Sequence, residues 1–361
     1  MVTNKTTEKI KLKFIVSKSV NFYFFIDNFA EYRPLHLHQY NREIIKKFGK
    51  LIKDEKRTIK QYKNVMTNLN VKLFQNIRDC FFTTNNLLRI LKYFSRMLPK
   101  SQFSILKDTF IVWRPRFEKI WKKQYPLLKQ NQKILKQKYL LLKNNFISLI
   151  NKLSIFYGKK DYPKTTIEIY LTLMPLDYYY QVGVALGNNR IILSLGLLKN
   201  KNIDSAWKLI LHELTHLLFE TKNYKNWINK NTLKKRPFSR LIPIENIKRI
   251  KQQTPLLFRE VINSSSIWNL CKIENIFSHN KDFLEIIRHK LDKTNSHDQR
   301  KIIFDLNTVK QYIAWKIEPC FKKYIFKNKK IDRKYLDKIY SFLLNYPENL
   351  FRDLKQRRGQ L

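Results

Sequence analysis

The stretch Leu209-Ile-Leu-His-Glu-Leu-Thr-His-Leu-Leu-Phe219 is the most informative pattern in this chain of 361 residues. Side chains four positions apart lie on one face of an α-helix, so His212 and His216 would project side by side. The apolar residues around them would form a buried stripe at helical spacing: Trp207, Ile210, Leu211, Leu214, Leu217 and Leu218. The stretch therefore predicts a helix that is buried along one face and carries two histidines and Glu213.

The order His-Glu-x-x-His has a chemical reason. Two imidazoles on one helix face can bind one zinc ion at about 2.0–2.1 Å. Glu213, next to the first histidine, would take the proton of a water whose pKa the zinc lowers, as that water attacks a carbonyl. The pattern predicts His212 and His216 as metal ligands and Glu213 as the general base. The alternative is that the three side chains hydrogen-bond within a core, or that the site is a relic.

The segment before this helix is predicted to contain strands. Thr165–Met174 is rich in β-branched residues and partly alternates in polarity. Gln181–Leu186 and Arg190–Leu195 are two further runs of this kind, joined by Gly187-Asn188-Asn189. Glycine and asparagine tolerate the positive φ of a tight turn, so the two runs predict a β-hairpin.

Strands followed by this helix resemble the active-site half of the zincin metallopeptidases, over about residues 165–277 of the chain. The metzincin extension is absent, because Phe219 and Lys222 stand where it has a glycine and a third histidine. The remaining likeness is to the gluzincins, whose third ligand is a glutamate on a later helix. The resemblance implies Zn²⁺ as cofactor and a peptide or protein substrate. It also implies hydrolysis by a zinc-bound water that Glu213 activates.

Glu260 is the best candidate for the third ligand that this resemblance implies. It lies 44 positions after His216 (260 − 216), in the apolar helical segment Leu256–Trp268, where three serines would allow close packing. The rival candidates are Glu245, Glu274, Glu220 and His279. The alternative for Glu260 is an ordinary surface carboxylate paired with a lysine, which stabilises little.

A zincin site also contains a group that stabilises the oxyanion of the reacting carbonyl. Tyr224, His279 and Arg288 are candidates that the sequence leaves open. His36 and His38 could also bind a metal, although two histidines in a loop are more often structural.

The expected architecture is α+β, mostly helical, with a small mixed sheet of three to five strands next to the HExxH helix. Residues 1–160 are predicted to form a basic, helical N-terminal region that begins with an apolar, extended piece, Ile10–Ile26. Residues 161–361 are predicted to form a zincin-like domain with a C-terminal helical cluster. Asp204 is expected to cap the motif helix, and Thr221–Arg240 to be an exposed connection.

The charge is unusual, because 72 Lys+Arg against 28 Asp+Glu give a net charge of +44. Attraction to a polyanion is one interpretation. The other is an AT-rich coding sequence, since Lys, Asn, Ile, Phe and Tyr are abundant and there are only 6 glycines. The charge therefore allows non-specific polyanion contact. It also supports an alternative function, a basic structural or nucleic-acid-binding protein, such as an organellar ribosomal or respiratory-complex subunit, with an inactive or coincidental HExxH.

The 3 cysteines are far apart in the sequence, which argues against a disulfide framework and against a cysteine zinc site. Neither a signal peptide nor a stretch of about 18 uncharged apolar residues is recognisable. The sequence predicts a protein of the cytoplasm or an organellar matrix.

Overall fold

The computed structural model describes residues 10–31, 38–159, 164–173, 182–187, 189–196, 198, 200–232, 247–274, 283–292, 306–344, 346 and 348–358. No helix of these segments is both long enough and apolar enough to cross a membrane. His36 and the side chain of His38 lie outside the described part of the chain.

The chain is mostly helical with one small sheet. The helices are α1 (Lys18–Ala30), α2 (His38–Phe48), α3 (Lys53–Asn68), α4 (Val71–Thr83), α5 (Leu87–Met97), α6 (Lys100–Leu141), α7 (Lys143–Tyr157), α8 (Asn200–Leu218), α9 (Lys222–Thr232), α10 (Ile247–Ile273), α11 (Phe283–Asp292), α12 (Leu306–Phe326), α13 (Arg333–Leu344) and α14 (Glu348–Arg358). The strands are β1 (Ile10–Ile15), β2 (Thr165–Leu173), β3 (Val182–Gly187) and β4 (Arg190–Leu195). These elements confirm the predicted α+β class.

The four strands form a mixed sheet in the order β1-β2-β4-β3. β2 and β4 are parallel, with Ile169 opposite Ile191, and β3 and β4 are antiparallel. The tight connection between β3 and β4 has positive φ at Gly187 (78°) and at Asn189 (57°). The hairpin was therefore predicted for the right reason, because its turn needs residues that tolerate this conformation.

The expectation of an extended piece over Ile10–Ile26 was wrong in its second half. β1 ends at Ile15, and α1 begins at Lys18 after Ser17, whose hydroxyl accepts a hydrogen bond from the Val20 amide as an N-cap. α1 is buried on nearly all sides. A short, continuously apolar run has the same appearance in a buried helix as in a buried strand, so periodicity could not separate them.

Two further local expectations were wrong. α8 begins at Asn200, so Asp204 lies inside the helix instead of capping it, and its carboxylate pairs with Lys138 at 3.3 Å. The segment after the motif is not simply an exposed connection, because α9 occupies Lys222–Thr232 and buries Tyr224 and Ile228. Residues 233–240 of that segment are outside the described part.

The chain divides into two compact units. The sheet unit comprises Lys11–Leu140 and Thr166–Leu209, and the motif unit is formed mainly by Leu141–Thr165 and Ile210–Leu361. Each unit thus joins segments that are distant in the sequence.

The C-terminal half of α8 is fixed firmly within the motif unit. Leu211, Leu214 and Leu218 are each at most 5% exposed, as predicted for the buried stripe, whereas Leu217 of that stripe is only partly buried. The carbonyl of Leu218, at the helix end, accepts a hydrogen bond from Lys159 (2.6 Å). The ring of Tyr157 stacks on Phe219 at 5.3 Å. The motif histidines therefore project from a well-anchored helix.

Candidate metal centre

Three side chains with metal-binding atoms come together in the motif unit: His212 and His216 from α8, and Glu260 from α10. Their ligand atoms all lie within 4.8 Å of one another. The Nε2 atoms of the two histidines are 3.1 Å apart. One oxygen of Glu260 lies 3.2 Å from Nε2 of His212, and the other lies 3.2 Å from Nε2 of His216. Among the described residues, this is the one group of three or more His, Cys, Asp or Glu side chains close enough to share a metal ion.

The spacing of these atoms can be compared with what zinc requires. With bonds of about 2.0–2.1 Å in a tetrahedron, neighbouring ligand atoms would be about 3.3 Å apart. The separation of 3.1 Å between the two Nε2 atoms is close to that value, and each Nε2 lies 3.2 Å from a different oxygen of Glu260, so the carboxylate spans the two rings. Two imidazole nitrogens and a carboxylate oxygen also suit zinc chemically, and three protein ligands would leave a fourth position open.

His216 is held on its other side by a carboxylate. Its Nδ1 lies 3.0 Å from Glu220, which is one turn further along the chain and only 3% exposed. Glu220 in turn accepts hydrogen bonds from Arg259 (2.9 Å) and Asn263 (3.0 Å). Because Nδ1 has an acceptor, the lone pair of the neutral ring is expected on Nε2, the atom that faces Glu260.

Those two carboxylates also shift the proton affinity of the ring. Burial by itself lowers the pKa of His216, but its hydrogen bonds to Glu220 and Glu260 and their charges raise that pKa to about 9. Metal binding would have to displace this proton.

His212 is supported in a similar way by a hydroxyl. Its Nδ1 lies 3.3 Å from Oγ of Ser264 on α10. The two following serines, Ser265 and Ser266, are fully buried, and Ser266 shares the hydroxyl of Tyr157 with Asn263. The expected close packing of the serine run is thus present, and it places a polar group of α10 behind each motif histidine.

Glu260 has a third neighbour besides the two histidines. Nζ of Lys310, on α12, lies 2.7 Å from one of its oxygens. Burial by itself raises the pKa of Glu260, but the hydrogen bonds from His212 and His216 and the charge of Lys310 hold it well below its usual value. The carboxylate is therefore ionised, as a metal ligand has to be.

Glu213, the expected general base, is buried, at 7% exposure. As the residue after His212 on α8, it lies at the same turn of the helix as the first histidine. Burial at this position fits both the predicted general base and the alternative of a hydrogen-bonded carboxylate in the core.

The rival third ligands are placed elsewhere or not described. Glu274 pairs with Lys152 and is not in the group that could share a metal ion, and Glu220 contacts the outer nitrogen of His216. Glu245 and His279 lie outside the described residues. The structure therefore brings Glu260 to the Nε2 atoms and gives Glu220 a different position, behind the ring.

The oxyanion-stabilising group stays an open prediction. Tyr224 is buried against Tyr157, with the ring centroids 5.2 Å apart, and its hydroxyl has no hydrogen-bond partner among the described residues. His279 and the side chain of Arg288 lie outside the described part of the chain.

Comparisons with known proteins identified no relative of this chain. No family model matches the chain, and neither a curated protein nor a solved structure is significantly similar to it.

Proposed function

We propose that this protein is a zinc-dependent metallopeptidase with a gluzincin-like site in a zincin-like arrangement. The observation that carries the proposal is the convergence of His212, His216 and Glu260, whose ligand atoms lie within 4.8 Å of one another. His212 and His216 would bind Zn²⁺ through Nε2, and Glu260 would bind it through one carboxylate oxygen.

The outer contacts of the three side chains support this ligand set. Ser264 and Glu220 occupy the Nδ1 sides of the two histidines, and Lys310 holds one oxygen of Glu260. Such contacts fix the orientation of each ligand and the tautomer of the neutral imidazole ring. Zinc would supply a Lewis acid that lowers the pKa of a water molecule and polarises a carbonyl group.

Glu213 is the residue we assign to proton transfer. It would accept the proton of the attacking water and return it to the leaving amine, a role worth about 10²–10⁴-fold in rate. Peptides or proteins are the proposed substrates, and the cytoplasm or an organellar matrix is the proposed compartment.

Hydrolysis of a fluorescently labelled casein tests the activity. The wild-type protein is expected to cleave it, to lose activity in a zinc chelator, and to regain it with added Zn²⁺. Glu213→Gln should lower the rate by about 10²–10⁴-fold while the variant retains its zinc. If Glu213→Gln cleaves as fast as the wild type, the assignment of the general base is wrong.

The alternative is a basic structural or nucleic-acid-binding protein in which the motif is inactive or coincidental. It predicts no bound zinc and no chelator-sensitive cleavage, so the zinc content of the purified protein and the casein assay together separate the two functions.

A further inference from the structure

The longest helix of the sheet unit carries a line of positive charge. α6 has 42 residues, and seven exposed basic side chains project from one face of it: Lys100, Lys107, Arg114, Lys122, Lys129, Lys133 and Lys136. We call these seven residues the basic stripe. Most of them are seven positions apart, which is nearly two helical turns, so they stay aligned along the helix. The stripe is about 54 Å long at 1.5 Å per residue.

The stripe is distinct from the buried face of the same helix. Leu106, Trp113 and Leu135 belong to that face and are completely buried. Two other cations of α6 are largely buried and tied to carboxylates, since Arg116 binds Glu55 (2.7 Å) and Lys138 binds Asp204 (3.3 Å). These two cations are not part of the stripe, whose Lys129 donates to Gln132 (3.1 Å) and lies over the ring of Tyr125 on its own helix.

The charges of the stripe are mostly uncompensated. The stripe face includes one carboxylate, Glu118, which lies 2.7 Å from Lys18 and 3.7 Å from Arg114. For the six lysines of the stripe, no carboxylate of the described residues lies within ion-pair distance. Like charges in a row repel one another, and a polyanion that binds along them relieves the repulsion and releases its counterions.

An aromatic recess interrupts the line of charge near its middle. Trp121 and Tyr125 lie side by side, with ring centroids 5.1 Å apart. With Glu118, Lys119 and Lys122 they line an open recess of about 500 Å³. Tyr125 is 39% exposed. A planar base could stack there while the flanking lysines contact phosphates, which is how proteins hold single-stranded nucleic acid.

We propose that α6 is a binding surface for single-stranded nucleic acid, with the phosphates along the basic stripe and a base stacked at Trp121 and Tyr125. A continuous line of cations along one helix suits a strand that can extend along it. Each backbone of a duplex winds around its axis once in about 34 Å and would meet such a line only at intervals. A membrane-surface helix needs a wide apolar face for insertion, and the apolar face of α6 is already buried in its own unit.

The test compares two variants of identical net charge, because a chain of +44 attracts any polyanion to some extent. In the stripe variant, the six lysines of the stripe become glutamine. In the control variant, six exposed lysines of α3, α4 and α5 in the same unit become glutamine: Lys53, Lys56, Lys60, Lys63, Lys72 and Lys92. Binding of a fluorescein-labelled twenty-nucleotide oligouridine is measured by anisotropy over a range of salt concentrations. Thermal unfolding checks that both variants are folded.

The wild type and the control variant should bind alike, within about threefold. The stripe variant should bind at least about 100-fold more weakly, and the slope of log K against log salt should fall by about 4, which is 0.7 for each of six lost contacts. Equal loss in the two variants would show that bulk charge alone attracts the strand and would overturn the proposal.

The recess has its own matched pair of variants. Tyr125→Ala should weaken oligouridine binding by at least about fivefold. Tyr93→Ala, which removes a tyrosine 48% exposed on α5, should leave binding unchanged. Tighter binding to a duplex of the same length, or to vesicles containing phosphatidylserine, than to the single strand would contradict the assignment of the partner.

Discussion

The candidate metal centre and the basic stripe of α6 both gather charged side chains, but they differ in how the charges are compensated. In the metal centre, Glu260 is surrounded by His212, His216 and Lys310 at 2.7–3.2 Å. Along the stripe, the lysines are exposed and lack carboxylate partners among the described residues. A buried charge costs several kcal/mol unless it is partnered, whereas an exposed lysine costs almost nothing.

This difference in charge compensation determines how strongly each region indicates a function. A lysine-rich coding sequence can place cations on any exposed helix face, so the stripe needs a control of equal charge. The same bias cannot easily produce a partly buried cluster in which each ligand side chain has a partner on its outer side. The metal centre is therefore the stronger evidence for a selected function.

Loss of Glu260 should have the largest effect. Glu260→Gln would remove the anionic ligand while keeping the shape of the side chain, and it would leave Lys310 without its carboxylate. The zinc affinity, measured by competition with a chromophoric chelator, should fall by more than about 100-fold, since even contacts outside the ligand set are worth about 10–100-fold. Glu274→Gln is the control, because Glu274 is another glutamate of the motif unit and pairs with Lys152 instead. Unchanged zinc affinity in Glu260→Gln would remove Glu260 from the ligand set.

Two ion pairs of the sheet unit test whether buried, partnered charges contribute more to the free energy of unfolding than exposed ones. Glu55 and Arg116 form a pair whose side chains are 5% and 9% exposed. Neighbouring Asp54 pairs with Arg57 at about 60% exposure. Glu55→Gln should lower the free energy of unfolding by about 3 kcal/mol because it leaves a buried guanidinium uncompensated. Asp54→Asn should lower it by less than about 1 kcal/mol. Urea denaturation of both variants measures the difference. Similar losses in the free energy of unfolding would show that the buried pair is no more important for stability than the exposed pair.

The contact behind His216 should have a smaller effect on zinc binding. Glu220→Ala removes the acceptor at Nδ1 and leaves Arg259 uncompensated nearby. The zinc affinity should fall by about 10–100-fold, and by less in Glu220→Gln, which keeps an acceptor oxygen. A matched control is Glu318→Gln, because Glu318 is also a shielded, doubly paired glutamate of the motif unit. Equal zinc affinity in Glu220→Ala and the wild type would show that this contact does not support the ligand.

Single lysines of the stripe should have the smallest effect on stability. Lys107→Gln or Lys136→Gln should change the free energy of unfolding by less than about 0.5 kcal/mol, or even raise it slightly by relieving repulsion. Urea denaturation at low salt measures this change. A loss above 1 kcal/mol would mean that these lysines have a structural partner and are not a free binding surface.

Much of the fold could be predicted because it depends on local pattern. The leucine spacing predicted the buried stripe of α8, and Gly187 with Asn189 predicted the hairpin. The start of α8 could not be predicted from a capping preference, since Asp204 pairs with Lys138 of a distant helix. Which distant segments join in one unit depends on packing that local pattern does not contain.

The candidate site, too, could be predicted only where it depends on local pattern. The helix spacing predicted that His212 and His216 share a face, and the family resemblance suggested Glu260. Glu220 was considered as a ligand, although its position four residues after His216 is also the spacing of a side-chain contact along one helix face. Lys310 gave no signal, because it reaches Glu260 only through the packing of α12 against α10.

We propose that His212, His216 and Glu260 together hold one zinc ion. The most direct test is the zinc content of protein purified without added metal, measured by elemental analysis for the wild type, His216→Ala and His289→Ala. His289 is an exposed histidine of α11, outside the site. The expected result is about one zinc per chain in the wild type and in His289→Ala, and less than about a tenth of that in His216→Ala. Equal zinc content in all three proteins, or no zinc in the wild type, would contradict the claim.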